Sequence, residues 1–300
     1  MLNVITVFIG TTLMYSSPLV LAGLGSVISE RSGVVNLGIE GMMTIGAFTG
    51  AAVGYFTGNA WLGFILAGVA AGVFAIPHAF ACITCRADQT ISGMAYNLVG
   101  PGLALFLCRI LFEGATQTHP VPHKIPKLFG SNITRGALGN LNVDLTVVIG
   151  LILAIIMFFF LYKTKWGLHI LAVGEHPAAC DTLGINVSLV RYLCVIASGF
   201  LAGLGGACIT LAITAQFMPV SVSGQGFIAI AAVIFGKWTP HGAYGACILF
   251  GAAQALVIAL GGGEILAMLP YVITLVVLVI FVGHSVAPKA SGKPYVKGER

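Results

Sequence analysis

The chain has 300 residues, of which 58% are hydrophobic and only 8% are charged, with a formal net charge of +5. A soluble domain carries roughly 25% charged residues because its surface has to be solvated, so this composition excludes an ordinary soluble protein and predicts an integral membrane protein. The positive charge does not indicate nucleic-acid binding, since the basic residues lie at the ends of apolar segments and in the C-terminal tail, where membrane topology places them.

Nine apolar segments follow one another along the chain, and their lengths lie near the ~20 residues that a helix needs to cross a bilayer. The first two segments and the penultimate pair could be broken or re-entrant. We therefore expect an all-α, polytopic helical bundle of about eight to ten transmembrane helices, built as one domain over residues 1–300. The segments are 4–28, 33–56, 61–80, 90–112, 145–162, 191–213, 222–236, 242–260 and 268–284.

The charged residues between these segments predict the orientation of the chain. Positive residues favour the cytoplasmic side, so we place the loop at 163–190 and the tail at 285–300 inside the cell, and the loop at 113–144 and the N-terminus outside. The three prolines of the outer loop indicate an extended excursion rather than another helix. The basic residues placed inside are Arg86, Lys163, Lys165, Lys237, Lys289, Lys293, Lys297 and Arg300; Glu113 and Glu264 lie outside, and Lys124, Lys127 and Arg135 depart from the rule there.

Small residues and cysteines in the apolar segments are typical of helix packing. Glycines recur every four residues from Gly46 to Gly58, which predicts the close approach of a neighbouring helix; a glycine-lined passage is the alternative. Most of the seven cysteines lie in apolar runs and should behave as small buried hydrophobic residues. The lone CxxC at Cys82 and Cys85 has no second pair, so we expect no metal site there.

Motifs of catalytic and nucleotide-binding sites are absent from the sequence. There is no Walker A motif, so we expect no P-loop for ATP in this chain, and HExxH, GxSxG and GxGxxG are absent too. No pair of carboxylates lies deep in a segment, where an enzyme or an ion-coupled carrier would need one; Glu40 is the one serious candidate. We therefore expect no enzyme, with neither catalytic residues nor a metal or cofactor bound by this chain.

Residues 29–43 form a polar and glycine-rich interruption between two apolar runs, and they read SERSGVVNLGIEGMM. Asn36 and Glu40 are four residues apart and would share a helix face, while the glycines weaken a regular helix at the same place. One interpretation is an ordinary cytoplasmic turn. The other is an irregular segment that lines a passage, because non-helical backbone at membrane depth survives only beside a cavity or inside protein.

Residues 165–186, in the predicted cytoplasmic loop, are too amphipathic and too long to be a simple connector. Pro177 suits the first turn of a short helix and Gly184 suits its end. Such a helix, lying parallel to the membrane, is suited to dock into a groove of a soluble partner. The alternative, a helix resting on lipid headgroups, is disfavoured because Glu175 and Asp181 are acidic and the inner leaflet is anionic.

Several blocks of the sequence resemble the permeases of bacterial ATP-binding cassette (ABC) importers for ribose, branched-chain amino acids and nucleosides. The likeness spans roughly residues 15–260 and lies in SERSGVVNLGIEGMM, ADQTISGMAYNLVGPGLALFL, LAVGEHPAACDTLGIN and GQGFIAIAAVIFGKWTPHGA. The first block looks like the nucleoside or simple-sugar branch. Asp88-Gln89 departs from that branch, which often shows Asn-Gln or Asn-Glu there.

The resemblance implies transport by alternating access, with partners that supply the other functions. Two permease subunits, usually different chains, would enclose the path in the bacterial cytoplasmic (inner) membrane. A separate ATPase would bind ATP and Mg, and an extracytoplasmic binding lipoprotein would deliver the substrate. A nucleoside is the expected substrate, a simple sugar is the alternative, and an ion-coupled secondary transporter is the less favoured function.

Two sets of residues are candidates for these roles. By resemblance, the residues that couple the permease to the ATPase are Gly174, Glu175, Asp181 and Gly184. By polarity, the residues expected along the substrate path are Asn36, Glu40, Asn97 and Gln225. Buried amides and a carboxylate are costly in lipid, and a purine or ribose offers matching donors and acceptors. Each could instead make a hydrogen bond that packs two helices.

Overall fold

The computed structural model describes residues 2–128, 141, 143–261, 266–281 and 287–296. These residues form an all-α structure, and apart from one isolated bridge between Lys127 and Asp144 there is no β-structure among them. The α-helices are α1 (Leu2–Arg31), α2 (Ile39–Thr57), α3 (Ala60–Ala79), α4 (Gln89–Leu111), α5 (Leu145–Lys163), α6 (Lys165–Glu175), α7 (Pro177–Thr182), α8 (Val187–Cys208), α9 (Gln225–Phe235), α10 (Pro240–Ala259) and α11 (Leu269–Phe281).

Each of the nine predicted apolar segments contains one helix, so the predicted polytopic bundle is confirmed. Among the described residues, six helices are long and apolar enough to cross a membrane: α1, α4, α5, α10, and α3 and α8 with the π-helical turns Phe80–Thr84 and Ile209–Ile213 that extend them. The helix α9 is different, because it has only 11 residues. At 1.5 Å per residue it is about 16 Å long, roughly half the hydrocarbon thickness.

Helix α8 lies at the centre of the bundle, between α1, α2 and α3. Its glycines allow this crowding: a Cβ atom at Gly203 would lie 2.5 Å from the Ala67 carbonyl of α3, and one at Gly206 would lie 1.9 Å from the Met43 carbonyl of α2. On α2, a Cβ at Gly46 would lie 2.3 Å from the Gly203 carbonyl. The predicted close packing is therefore confirmed at Gly46, at the start of the glycine stripe, whereas nothing lies within 4 Å of a Cβ at Gly58, at its end.

One end of the bundle, which we call the coupling end, carries α6, α7 and the described tail, residues 287–296. The tail lies against α6, where the Ala290 N–H donates to the Gly174 carbonyl at 2.9 Å. The turn between α9 and α10 lies at the same end, since Arg31 at the end of α1 donates to the carbonyls of Lys237 and Trp238.

The opposite end carries the loop that follows α4. The Val121 N–H donates to the Ala215 carbonyl at 2.7 Å, and Lys124 Nζ donates to the Ile213 carbonyl at 3.0 Å. The loop predicted outside thus lies at the end of the bundle opposite α6, α7 and the tail. Which end faces the cytoplasm stays a prediction, and Arg135, Glu264, Lys297 and Arg300 lie outside the described residues.

Candidate functional site

Between α1 and α2 the backbone is not helical, and this non-helical segment runs deep into the bundle. The α1 helix ends at Arg31, Gly33 adopts a left-handed φ of +89°, and α2 begins only at Ile39. We call residues 32–38 the first break. Non-helical backbone needs polar partners in protein at this depth, because lipid offers none.

Helix α4 supplies part of those partners along two turns. At its first residue, the Gln89 side-chain oxygen accepts from Val35 N–H at 2.7 Å. Eight residues further, about 12 Å along the helix axis, Asn97 Oδ1 accepts from Gly41 N–H at 3.0 Å and Asn97 Nδ2 donates to the Leu37 carbonyl at 2.8 Å. The first break therefore rises from the coupling end towards the middle of α4.

Asn36 ties the first break to the central helix. Its side chain is fully buried; Oδ1 accepts from Gly38 N–H at 3.1 Å, and Nδ2 donates to the Ser198 hydroxyl of α8 at 3.0 Å. The Met42 thioether is a weaker acceptor for the same amide at 3.4 Å. Both functional groups of the Asn36 amide are thus used to fix the break.

Glu40, in the first turn of α2, meets the start of the short helix α9. Its Oε1 accepts from Gly224 N–H at 2.5 Å and its Oε2 accepts from Gly226 N–H at 2.7 Å. The first N–H groups of a helix have no partner within the helix and favour a negative charge, so the carboxylate caps α9. The packing is tight, because a Cβ at Gly226 would lie 2.6 Å from the Glu40 Cα.

The chain that leads into α9 is a second break, residues 214–224, which returns from the opposite end of the bundle to the level of Glu40. Gly224 closes it with a left-handed φ of +83°. The Tyr271 hydroxyl of α11 donates to the Ser223 carbonyl at 2.9 Å. Next to this contact, Gln225 is partly buried and its Oε1 has no hydrogen-bond partner, while Phe227 is 43% exposed.

The four residues predicted along the path therefore lie around one place, where the two breaks meet inside the bundle. We call it the junction and define it by Asn36, Glu40, Asn97 and Gln225. Three of them make hydrogen bonds within the chain, and Gln225 retains an unpaired amide oxygen. Their part in transport stays a prediction. Sequence alone did not show that Glu40 meets the start of α9, since Glu40 and Gln225 lie 185 residues apart.

The coupling segment forms two helices, α6 and α7, joined at His176. Pro177 begins α7, and Gly184 follows its end with a left-handed φ of +82°, as the pattern predicts. The neighbouring Leu183 is 80% exposed, so the end of α7 presents an apolar side chain at the surface. The exposed tip is accessible to another protein, as are Trp166 (68% exposed) and Leu168 (52% exposed) of α6.

The four predicted coupling residues divide between two surroundings. Gly174 is buried, and a Cβ there would lie 2.1 Å from the Arg31 carbonyl, whereas nothing lies within 4 Å of a Cβ at Gly184. Glu175 and Asp181 are partly exposed. Asp181 and Gly184 border a polar groove of about 480 Å³, which Arg86 and Tyr295 also line.

Comparison with known proteins identifies the family of the chain. Residues 8–282 match the family model described as branched-chain amino acid transport system / permease component. The chain belongs to this family. It is thus a multi-pass membrane permease of a transport system, and the six long apolar helices agree with that. No solved structure gives a significant match to this permease.

The permease is similar to several named transport proteins. The guanosine ABC transporter permease protein NupQ of Bacillus subtilis (strain 168) is 43% identical over 320 residues, with 99% of each chain covered. The nucleoside ABC transporter permease protein NupC of Lactococcus lactis subsp. cremoris (strain MG1363) is 36% identical over 315 residues, again with 99% of each covered. The putative glucose ABC transporter permease protein TsgC13 of Haloferax volcanii is 39% identical over 250 residues, which cover 83% of this chain and 76% of the relative.

Sequence reasoning missed three residues of the permease that hold this region together. Glu30, 4% exposed, accepts hydrogen bonds from Ser26 and from the indole N–H of Trp238. Arg191, 2% exposed, donates to the Ser32 and Lys293 carbonyls and so holds the tail. The sequence did contain a signal for Glu30 and Arg191, since burying a carboxylate or a guanidinium at the end of an apolar helix is costly unless the group is paired.

Proposed function

We propose that this chain is the membrane-spanning permease subunit of an ABC importer that carries nucleosides across the bacterial cytoplasmic membrane. The observation that supports a nucleoside substrate is the identity of 43% to a guanosine permease over 99% of both chains. The importer would contain a second permease subunit, an ATPase that binds ATP and Mg, and an extracytoplasmic substrate-binding lipoprotein. This chain would itself bind no metal or cofactor.

The junction supports a place for the substrate along the path. Secondary transporters place polar groups where broken helices meet near mid-membrane, because the irregular backbone is not exposed to lipid there. Gln225 has a buried amide oxygen without a hydrogen-bond partner, and the nearby Phe227 has an exposed ring. A nucleoside needs both kinds of partner, because its base has a π-face and its ribose and base edges carry donors and acceptors.

The coupling segment supports the link to the ATPase. The α7 helix stands at the surface with an exposed tip, and Glu175 and Asp181 are accessible for a partner's basic groups. The α6 helix connects this tip to the interior through Gly174, which lies against the end of α1. In this proposal, closure of the ATPase subunits moves α7 and α6, and the helices rock around the path.

A simple-sugar substrate is the second candidate, because a putative glucose permease is 39% identical over 83% of this chain. The two substrates are separable at the binding protein, which is expected to supply most of the selectivity. The whole complex, with its binding lipoprotein, would be purified. The melting temperature of the lipoprotein would then be measured with guanosine, other nucleosides, ribose and glucose.

Uptake into proteoliposomes then tests the mechanism directly. We expect ATP-dependent uptake of a nucleoside by the complete complex. Gly184→Ala and Glu175→Gln should lower ATP-dependent uptake while the subunits still assemble. Wild-type uptake by both variants would rule out the coupling assignment. Uptake driven by an ion gradient without ATP would instead favour a secondary transporter.

Glu40→Gln tests the junction. If Glu40 helps to form the path, the substitution changes the uptake rate or the substrate concentration that gives half-maximal uptake. Because the amide of Gln can accept only one of the two hydrogen bonds that the carboxylate accepts from Gly224 and Gly226, we expect a clear loss. Unchanged rate and apparent affinity would favour a purely structural turn.

A further inference from the structure

The short helix α9 is fixed at both of its ends by carboxylates, and both carboxylates come from the polar segment 29–43. At its start, Glu40 accepts from the N–H groups of Gly224 and Gly226. Just past its end, the indole N–H of Trp238 donates to Glu30. The two acids stand ten positions apart in sequence, and the helix held between them has 11 residues.

The end of α9 needs to be held, because the turn that follows it is strained. Lys237 and Trp238 both have a φ of +54°, in the left-handed region that bulky residues avoid. Trp238 is 7% exposed, so its side chain is part of the core. Arg31 binds the turn from the other side, as its Nε donates to the Trp238 carbonyl at 2.7 Å. Glu30 and Arg31, which are adjacent in sequence, therefore both bind Trp238: Glu30 binds its indole and Arg31 binds its backbone.

The same corner of the chain touches the coupling segment. A Cβ at Gly174, near the end of α6, would lie 2.1 Å from the Arg31 carbonyl and 3.4 Å from the Gly33 nitrogen. Glycine is required here because the two backbones are in direct contact. A displacement of α6 towards the bundle therefore reaches Arg31 without an intervening side chain, and Arg31 in turn holds the turn at Trp238.

We propose that Glu30 and Trp238 are positioning residues that, with Glu40, lock α9 to the corner between α1 and α2, so that a displacement of α6 at Gly174 carries α9 with it. The transport part of this inference rests on the proposed function, because it assumes that the coupling segment is displaced by an ATPase. The lock itself is a property of the chain alone. Among the described residues, the side chains of Glu30 and Trp238 hydrogen-bond to each other and to Ser26 and not to a candidate path residue; they act through the position of α9.

Amide hydrogen exchange on the assembled complex, without substrate or ATP, tests the lock independently of transport. Trp238→Phe keeps a ring but removes the indole N–H, and we expect the amides of 234–239 to exchange about tenfold faster or more, as loss of a hydrogen bond to a charged group allows. Glu40→Gln should have the same effect on 224–228. Trp61→Phe is the matched control, since Trp61 lies in α3 and packs on Phe64. Unchanged exchange of α9 in both test variants, or an equal rise in the control, would overturn the lock.

A second measurement separates positioning from general loss of structure. Glu30→Gln retains an acceptor for the indole N–H, whereas Glu30→Met retains the side-chain length and removes it. In proteoliposomes, substrate transported per ATP hydrolysed should fall about tenfold in Glu30→Met and Trp238→Phe, and Glu30→Gln should restore much of it. Equal ratios in Glu30→Gln and Glu30→Met would refute the positioning role. If the wild-type complex transports no nucleoside, the proposed function fails while the exchange experiment still decides the lock.

Discussion

The contact between α6 and α1 at Gly174 gives the sharpest quantitative test of how the coupling segment reaches the interior. A Cβ at this position would lie 2.1 Å from the Arg31 carbonyl oxygen and 3.0 Å from its carbon. Since carbon atoms in ordinary contact are about 3.5–4.0 Å apart, α6 has to move away by about 1 Å or more. Forcing extra atoms into a packed site costs about 1–3 kcal/mol. The movement also strains the hydrogen bond from Ala290 to the Gly174 carbonyl.

The assay compares Gly174→Ala with two glycine variants that have no such clash. We expect Gly174→Ala to lower both the melting temperature of the complex and the uptake per ATP hydrolysed. Gly102→Ala, on α4, has nothing within 4 Å of the new Cβ and should be neutral or stabilising by about 0.5–1 kcal/mol. Gly184→Ala meets nothing either, but its φ of +82° is unfavourable for alanine, by about 1–2 kcal/mol.

The comparison of these variants decides between contact and backbone effects. If Gly174→Ala keeps the wild-type melting temperature and the wild-type uptake per ATP hydrolysed, α6 is not in tight contact with α1. The inference that displacement of α6 is transmitted through Arg31 is then wrong. If Gly102→Ala is as damaging as Gly174→Ala, the effect belongs to any glycine and not to this contact. Assembly of the complex, measured by copurification of the subunits, has to be intact for the coupling result to count.

Three further predictions concern other parts of the chain. Burial raises the pKa of Asp144 to about 6, although the positive charges of Lys127 and Lys124 act to lower it. The folded protein therefore binds the Asp144 proton more tightly than the unfolded chain does, and the free energy of unfolding falls as the pH rises from about 4 to about 6. Asp144→Asn should therefore raise the melting temperature near pH 7.5 but not near pH 4, and equal effects at both would contradict this. Cys85 is exposed and the other six cysteines are buried, so a membrane-impermeant maleimide should add one label per native chain, and only from the coupling end. Arg191→Met should free the tail it binds, measured as faster hydrogen exchange at 287–296, and unchanged protection would show that the tail is held otherwise.

The helices of this permease were predictable from local sequence because lipid imposes a simple requirement on each segment. Twenty or so apolar residues in a row are enough to indicate a helix, and the short run at 222–236 already pointed to a broken or re-entrant element. The start of α7 at Pro177 and its end before Gly184 were readable for a similar reason. In each of these cases the physical cause lies within a few residues of its effect.

The pairings at the junction were not predictable, because they join residues that are far apart in sequence. Glu30 meets Trp238 across 208 residues, and Glu40 meets Gly224 across 184. Sequence showed that a carboxylate inside the bundle needs a partner, but a single chain does not say which one. The polar character of Glu40 suggested the path, and its role as the cap of α9 became visible only in the fold.

The capping of α9 limits how this permease can move. A helix of 11 residues inside a bundle exposes polar groups at both ends, and lipid offers them no partner. If α9 moved alone, Gly224 and Gly226 would lose the Glu40 carboxylate, and the Trp238 indole would lose Glu30, which would keep only its bond from Ser26. Buried donors would then have no partner, and both buried carboxylates would lose hydrogen bonds. Motion that keeps α9 attached to the corner between α1 and α2 avoids this cost. We therefore expect α9 and the corner between α1 and α2 to move together as one unit during the transport cycle. The surfaces that slide past each other should lie where this unit contacts apolar neighbours.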